Sequence, residues 1–472
     1  MNVNIKDLIA ALPQEQGEAS ESEITQEQLD QIFADLAQRP VPVGSLHRLW
    51  SVGELSTQIA FAYGVYWIRQ WFVDAEERQR ELLETNLRVA LKMIHRLGYL
   101  RGAATKIGQA LANLPSIIPD QVLETLDRLH WDAPPMHFSL LRELLSDELG
   151  EDAEKIFGGF EKDAFAAASI GQVHRARLKS GEQVAVKIQY PGIARTIDAD
   201  FRALGALLFP ARLGKDWEYT KSQFDEIHRM LKLEADYLQE AENLERAQAL
   251  FQPADGIVVP RVYKKYCTQR VLTMEFLPGL HLGEFVATNP IQAARNAFGE
   301  KIYRTWARIY NAGFNYADPH SGNYLFMDDG RLGLLDFGCI QRFDEEERAV
   351  LRLSEELING LDKLPQVLRR CGVPEEELGN EEFIGLMQES SNWCFEPLKV
   401  SGAFDFGDAD HFKRGVDIFS RILLKRHTRS HPMWIYWNRA LYGIRALMYQ
   451  LRAQVDVNAV LASENFFCRG GL

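Results

Sequence analysis

Three side chains in the C-terminal half of the chain have the types and spacing of a site for phosphoryl transfer. Asp318 and Asn323 stand five positions apart in NYADPHSGNYLF, and Asp336 follows in LLDFG. Phosphoryl transfer needs a carboxylate that orients the attacking hydroxyl or water, and hard oxygen ligands for Mg²⁺. The spacing predicts Asp318 as the catalytic residue and Asn323 and Asp336 as the metal ligands, as in the catalytic loop and Asp-Phe-Gly motif of kinases.

The residues around this group predict how it is assembled. The apolar stretch YLFMDDGRLGLLDFG predicts a β-hairpin with its turn at 328–330, which joins Asn323 to Asp336. His320 is a candidate general base. Because the two aspartates already fill the roles that phosphoryl transfer needs, we favour a structural, loop-ordering role for His320.

An alanine-rich turn earlier in the chain matches a phosphate-binding loop. Gly171, Gln172 and Val173 match the end of the kinase loop GxGxxGxV, but alanine replaces its first two glycines. Each added methyl group limits the approach of backbone N–H groups to phosphate. The residues predicted to contact the nucleotide on this loop are Ala166, Ala167, Ala168 and Ser169.

Lys187 ends the motif VAVK on the following strand, where kinases place the lysine that holds the α- and β-phosphates of ATP. Strand alternation points it away from Val186 and Ile188, toward a cleft or toward solvent. A solvated strand lysine is the alternative. A phosphate-binding lysine requires a helix carboxylate as its partner, and we predict that Glu240 has this catalytic role.

One long helix is predicted over residues 219–251, and it carries several carboxylates. Glu234 and Glu240 are six residues apart, about 600° of helical rotation, so they point in different directions. Glu240 is therefore free to pair with Lys187 while Glu234 and Asp236 face the nucleotide site. An acidic, solvated helix face is the alternative.

The order of the predicted elements indicates an α+β protein with a two-lobed, protein-kinase-like fold and an N-terminal helical extension. We predict a mobile acidic segment over residues 1–50 and the helical extension over 51–150. A small β-rich N-lobe is predicted over 151–280 and a helical C-lobe over 281–472. The alternation of short strands and turns after residue 158 separates the two helical regions.

Four motifs give the chain a resemblance to the UbiB family of atypical kinase-like proteins. They are the KxGQ motif at Lys106, Gly108 and Gln109, the alanine-rich loop AAASIGQVH, the ExD motif at 234–236, and ADPHSGN at 317–323. The last differs from the family's ADPHPGN by Ser321 in place of proline. The resemblance covers roughly residues 85 to 450, estimated from these joint motif matches.

The resemblance implies a regulatory role for the KxGQ segment, which folds over the active site in relatives. Lys106 and Gln109 would then lie near Glu234 and Asp236. It also implies ATP and Mg²⁺ as cofactors and an association with isoprenoid lipid metabolism, especially ubiquinone biosynthesis. The chain enters a helical pattern soon after Asp-Phe-Gly and lacks an Ala-Pro-Glu motif, which argues against protein phosphorylation.

The predicted function is an Mg²⁺-dependent, ATP-binding atypical kinase or ATPase with a lipid or small-molecule acceptor. One alternative is a nucleotide-sensing regulatory scaffold with little turnover. Another is a small-molecule phosphotransferase of the aminoglycoside or choline kinase type, against which the KxGQ and ExD motifs argue.

Composition restricts the partners. The net charge of −13 argues against nucleic-acid binding, and five scattered cysteines without a CxxC pair fit a reducing, cytoplasmic location. The N-terminus lacks the pattern of a signal peptide. Aromatic segments at 55–73 and 433–451 are candidates for contact with a membrane surface, although packing against the protein core is favoured for both. An isoprenoid lipid is the other possible partner, implied by the family resemblance.

Overall fold

The structure is a computed structural model that describes residues 138–168, 170–190, 197–198, 221, 225, 228–229, 232–316, 319–358, 360–424 and 433–466. Several predicted features lie outside these residues. They are the segments 1–50 and 51–137, the KxGQ residues Lys106, Gly108 and Gln109, the aromatic segment 55–73, and the site residues Ser169 and Asp318.

The chain divides into two compact units. The first consists of Met1–Ala176 and Lys187–Ala235, and the second of Arg177–Val186 and Asp236–Leu472. The helices are α1 (Phe138–Leu149), α2 (Ala153–Ile156), α3 (Tyr237–Gln248), α4 (Leu282–Ala287), α5 (Gln292–Asn311), α6 (Glu345–Glu355), α7 (Leu364–Arg370), α8 (Glu375–Leu378), α9 (Glu381–Lys399), α10 (Ala409–Leu424), α11 (Met433–Leu451) and α12 (Val457–Ser463). The strands are β1 (Phe157–Phe160), β2 (Ala166–Ala168), β3 (Gly171–Leu178), β4 (Gln183–Gln189), β5 (Ile257–Val258), β6 (Val271–Glu275), β7 (Phe314–Tyr316), β8 (Tyr324–Phe326), β9 (Leu332–Leu334), β10 (Ile340–Arg342), β11 (Phe404–Asp405) and β12 (Gln454–Val455).

The β-rich region predicted after residue 158 contains a strand pair joined at Gly181. Strands β3 and β4 are neighbours in a five-stranded sheet of order β1-β3-β4-β6, and β2 pairs with β3. Gly181 has a φ of +105°, a conformation that favours glycine in the connecting turn. All residues of β4 after Gln183 are buried, so both faces of this strand are covered.

The prediction of one continuous helix over residues 219–251 is wrong at the ExD motif. Residues 232–234 are helical, Ala235 is a turn, and α3 begins after Asp236. Asp236 has φ −112° and ψ 90°, and its Oδ1 accepts hydrogen bonds from the amides of Leu238 and Gln239. An aspartate in this geometry caps a new helix. Glu234 and Glu240 therefore stand on different helical segments, and the rotation expected for a single helix does not relate them.

The hairpin predicted between Asn323 and Asp336 is confirmed. Strands β8 and β9 pair antiparallel, with Gly330 at φ +81° in the turn, and β5 adds to β9 as a parallel strand. The stretch IVVPRVYKKY at 257–266 has the β-branched and aromatic composition of a longer strand. It forms only β5 and an isolated bridge from Val262 to Met274, because Pro260 has no N–H to donate to a ladder.

The C-terminal aromatic helix α11 packs into the protein, as predicted. Its described side chains Ala440, Ile444, Leu447, Met448 and Leu451 are buried. Arg445 on the same helix is also buried and donates hydrogen bonds to Tyr303 Oη (2.7 Å) and the Cys394 carbonyl (2.8 Å). None of the helices in the described ranges is long and apolar enough to span a bilayer.

Candidate active site

Strand pairing in the second unit holds the predicted catalytic loop, of which residues 319–323 are described, beside the Asp-Phe-Gly turn. Strand β7, which precedes the loop, pairs with β10, which follows the turn, so that Tyr316 lies opposite Ile340. On the other side, the Leu335 amide donates a 3.0 Å hydrogen bond to the Asn323 carbonyl. Both ends of the loop are thereby fixed to both ends of the turn. The backbone of Asn323 is thus bonded to the residue that precedes Asp336, so the two predicted metal ligands lie on neighbouring segments.

His320 orders the segment that leads to Asn323. Its Nδ1 accepts a 3.1 Å hydrogen bond from the Gly322 amide, and its carbonyl accepts one of 2.9 Å from the Asn323 amide. These bonds close a short 3₁₀ turn over Ser321–Asn323. The loop-ordering role predicted for His320 is confirmed.

The Asp-Phe-Gly turn is held by its own carboxylate and by its aromatic ring. Asp336 Oδ1 accepts a 2.9 Å hydrogen bond from the Gly338 amide, the geometry of an Asx turn. Phe337 is fully buried, and its ring centroid lies 5.3 Å from that of Tyr316 on β7. Packing of Phe337 therefore links the turn to the strand that enters the catalytic loop.

Asn243 on α3 contacts this turn and was missed in the sequence. Its buried Nδ2 donates a 3.0 Å hydrogen bond to the Phe337 carbonyl, and its Oδ1 accepts one from Gln239 Nε2. Asn243 lies one turn after Glu240, and both side chains are buried. Residues three apart share a helix face. The face of α3 that carries Glu240 is therefore the face attached to the Asp-Phe-Gly turn.

The oxygen atoms of the two predicted metal ligands are of the kind that Mg²⁺ prefers. Asn323 offers an amide oxygen and Asp336 a carboxylate, both hard oxygen donors, at adjacent positions of a hydrogen-bonded frame. Mg²⁺ in phosphoryl-transfer sites takes one or two protein ligands and completes its octahedron with phosphate oxygens and water. A two-ligand protein site of this kind suits a metal that enters with a nucleotide.

Lys187 lies in the first unit, on a strand attached to the ExD segment. Two residues after it, Gln189 Nε2 donates a 2.7 Å hydrogen bond to the carbonyl of Ala235. Side chains two apart on a strand share a face, so Lys187 and Gln189 point the same way. Lys187 is 7% exposed and Glu234 is 6% exposed. Burial of both charges is typical of side chains with specific partners rather than of solvated residues.

The alanine-rich loop is a tight hairpin of β2 and β3. Ala166 lies opposite Val173 and Ala168 opposite Gly171, and the Tyr190 amide donates a hydrogen bond to the Ile170 carbonyl. The side chain of Ala167 is outside the described part. Residues 166–168 of the predicted nucleotide-binding backbone thus belong to a sheet and have a fixed register.

A buried histidine supports this hairpin. His174 Nδ1 is 2.9 Å from the Glu161 carbonyl, which can only accept, so Nδ1 carries the proton and Nε2 accepts from Gln172 Nε2. Burial lowers the pKa of His174 below its ordinary value, against the opposing effect of the Glu161 hydrogen bond. The neutral ring stacks on Phe160 of β1 and so packs β3 against its neighbouring strand.

Glu240 is 1% exposed on α3. Its predicted pairing with Lys187 joins residues of different units and stays a prediction. The roles predicted for Lys106, Gly108, Gln109, Ser169 and Asp318 also stay predictions, because these residues lie outside the described part.

Comparison with known proteins gives a consistent assignment. Residues 128–361 match the ABC1 atypical kinase-like domain. The mitochondrial atypical kinase COQ8 of Schizosaccharomyces pombe is 30% identical over 383 residues, which cover 79% of this chain and 62% of that protein. The probable serine/threonine-protein kinase abkA of Dictyostelium discoideum is 34% identical over 272 residues, which cover 54% and 48%. The chain thus spans about half to two thirds of these relatives.

A solved structure agrees with this assignment. Rv3197 of Mycobacterium tuberculosis, in complex with erythromycin, matches with a TM-score of 0.54 and 26% identity over 84% of this chain and 98% of that one. The prediction of an α+β, kinase-like fold is confirmed. Together with the motifs, these matches show that the chain is a member of the UbiB family of atypical kinase-like proteins.

Proposed function

We propose that this protein binds ATP with Mg²⁺ and transfers the γ-phosphoryl group to water or to the hydroxyl of a small molecule or lipid. The observation that carries the proposal is the frame that fixes Asn323 beside the Asp-Phe-Gly turn, closed by the Leu335 to Asn323 hydrogen bond. Kinase-like sites work by holding metal and phosphate in position and by stabilising charge. A frame that joins both predicted metal ligands supports that chemistry.

Each residue has a proposed task. Lys187 holds the α- and β-phosphates with Glu240 as its carboxylate partner, and Asp318 orients the attacking hydroxyl or water. Asn323 and Asp336 hold Mg²⁺, which neutralises charge on the phosphates when bound. Backbone N–H groups of the hairpin at 166–169 approach the nucleotide. The carboxylates at 234 and 236 face the KxGQ residues Lys106 and Gln109.

The acceptor is proposed to be a lipid or small molecule rather than a protein. Strand β10 ends at Arg342, and α6 begins at Glu345, so little chain separates the Asp-Phe-Gly turn from the next helix. A protein kinase uses an extended loop in this place to hold a peptide. The family resemblance points to isoprenoid lipids of the ubiquinone type, and we propose them as the acceptor class.

The test is the rate of Mg²⁺-dependent ATP turnover in wild type and in Asp336→Asn. We expect a loss of roughly 100-fold or more, because the amide removes the charge that binds the metal. The matched control is Asp329→Asn. Asp329 is an exposed residue in the turn of the same hairpin, and its carboxylate bonds Arg331.

Equal turnover by Asp336→Asn and wild type would reject the metal assignment. Nucleotide binding without turnover, even with membranes and isoprenoid lipids present, would favour a nucleotide-sensing scaffold. A loss in both variants would point to damage to the hairpin instead of the metal site.

A further inference from the structure

Helix α11 has a glycine at the point where it meets the catalytic loop. A Cβ atom built on Gly443 would lie 2.4 Å from Cγ of Pro319 and 3.3 Å from its Cδ. Real Cβ atoms essentially never approach another heavy atom more closely than 3.0 Å. The Pro319 ring therefore packs directly against the backbone of α11 at Gly443.

The backbone conformation of α11 does not require glycine at position 443. Gly443 is absent from the residues with positive φ, and it lies inside a helix whose neighbouring side chains Ala440, Ile444 and Leu447 are buried. Glycine in a helix interior is less favourable than alanine because it loses more backbone entropy. The contact with Pro319 is thus the structural reason for a residue without a side chain at this position.

Pro319 connects this contact to the predicted catalytic residues. Pro319 is buried and directly follows the predicted catalytic residue Asp318 in the sequence. On its other side is His320, whose side chain and carbonyl hold the amides of Gly322 and Asn323. A displacement at Pro319 is therefore expected to move His320 and, with it, the predicted metal ligand Asn323.

We propose that Gly443 is a positioning residue that sets the depth of Pro319 and, through His320, the position of Asn323 in the predicted catalytic loop. This inference rests on the proposed function, since it assigns Gly443 to the same site. Gly443 lies outside every motif, and it touches neither nucleotide nor metal in this assignment. Its effect is transmitted through Pro319.

The first experiment compares Gly443→Ala with Gly385→Ala. Gly385 is an exposed glycine inside α9 whose added Cβ would meet nothing within 4 Å. Both substitutions favour their helix equally, but only the first displaces the loop. We expect kcat for ATP turnover to fall roughly 10- to 100-fold in Gly443→Ala, because a shift of about 1 Å at a catalytic group has costs of this size. Nucleotide affinity should stay within about twofold, and Gly385→Ala should match wild type.

The second experiment is a rescue by Pro319→Ala. This change removes Cγ and Cδ and leaves Cβ, which would be 3.5 Å from the new methyl group, an ordinary contact distance. In the Pro319→Ala background, Gly443→Ala should therefore have little further effect on kcat. An undiminished effect in that background would overturn the proposal, as would wild-type turnover in the single variant Gly443→Ala.

A third readout does not depend on turnover. Hydrogen exchange at the Gly322 and Asn323 amides should be faster in Gly443→Ala than in wild type, because both amides are bonded to His320. If wild type does not turn over ATP, the proposed function fails, and exchange alone decides the inference. Faster exchange in Gly443→Ala but not in Gly385→Ala supports the positioning contact, and unchanged exchange overturns it.

Discussion

At the scale of single residues, the buried side-chain amide of Asn243 holds the Asp-Phe-Gly turn. Asn243 and Phe337 are separated by 94 residues, yet the Asn243 amide donates to the Phe337 carbonyl at 3.0 Å. Gln239 fixes the amide orientation by donating to its oxygen. A buried carbonyl that loses its donor has no water to replace it. The turn that carries Asp336 thus depends on a residue of a different element.

Replacing Asn243 by alanine should reduce the free energy of unfolding by about 1–3 kcal/mol, the cost of an unsatisfied buried acceptor. It should also raise the Mg²⁺ concentration needed for half-maximal turnover, because the turn that carries Asp336 is held less firmly. Urea unfolding and turnover against Mg²⁺ concentration measure the two effects.

The control for this prediction is Asn458→Ala. Asn458 also donates from its side chain to a backbone carbonyl, that of Leu398 at 2.9 Å, but at an exposed position. Its loss should change stability by no more than about 0.5 kcal/mol, since water satisfies the carbonyl. Equal effects of the two substitutions would show that burial of the Phe337 carbonyl is unimportant.

At the scale of elements, the hairpin of β2 and β3 presents alanine where kinase loops have glycine. Ala168 lies opposite Gly171 at the end of the ladder, where the chain reverses. A methyl group at this position limits how closely a phosphate approaches the backbone amides. Nucleotide affinity should therefore be set in part by this side chain.

Ala168→Gly should bind nucleotide more tightly, because removal of the methyl group opens the approach to the amides. Titration calorimetry with ADP and ATP measures the change. Ala164→Gly is the matched control, since Ala164 precedes β2 and lies outside the loop. Identical nucleotide affinities in Ala168→Gly and wild type would count against the placement of this hairpin at the phosphates.

The elements differ in how well the sequence predicted them. The hairpin from Asn323 to Asp336 was predictable because turn residues and apolar strands are local signals. The break at Asp236 does not follow from the apolar spacing, because that spacing continues on both sides of it and resembles one helix. Asp236 with Gln239 three residues later is a helix-start pattern that contained the missing information.

At the scale of the whole molecule, an ion-pair network joins the end of α12 to α5 and to the segment before β5 in the second unit. Arg308 on α5 forms ion pairs with Asp255 and Glu464, and Arg304 also reaches Glu464 at 3.1 Å. Hydrogen bonding to Glu464 raises the pKa of Arg308. Burial opposes ionisation of Asp255, but hydrogen bonds from Arg308 and the Gln252 amide bring its pKa below the usual value. Segments far apart in the chain are thus joined through one guanidinium.

Glu464→Gln should reduce the free energy of unfolding by about 1–2 kcal/mol, less than for a fully buried pair because Arg308 keeps part of its exposure. The comparison is Glu375→Gln, which breaks an exposed pair with Arg369 and should have a much smaller effect. Thermal unfolding of both variants at low and moderate salt measures the difference. A Glu375→Gln effect as large as that of Glu464→Gln would contradict the structural importance of the network.

The motifs and their order along the chain could be predicted from the sequence, since each motif is a short local pattern. The sequence did not show the contacts that place them. The contact of Asn243 with Phe337 joins residues 94 positions apart, and that of Gly443 with Pro319 joins residues still farther apart; neither has a local signature. Such contacts follow from tertiary packing, which no periodicity encodes.

The central claim is that Asn323 and Asp336 bind a divalent cation together with nucleotide phosphates. The most direct measurement is an electron paramagnetic resonance titration of Mn²⁺, used in place of Mg²⁺, with a non-hydrolysable ATP analogue present. Wild type is compared with Asn323→Ala, Asp336→Asn and the hairpin control Asp329→Asn. We predict that Mn²⁺ binding depends on the nucleotide, weakens by roughly tenfold or more in the first two variants, and is unchanged in the control. Equal Mn²⁺ affinity in all four proteins would contradict the claim.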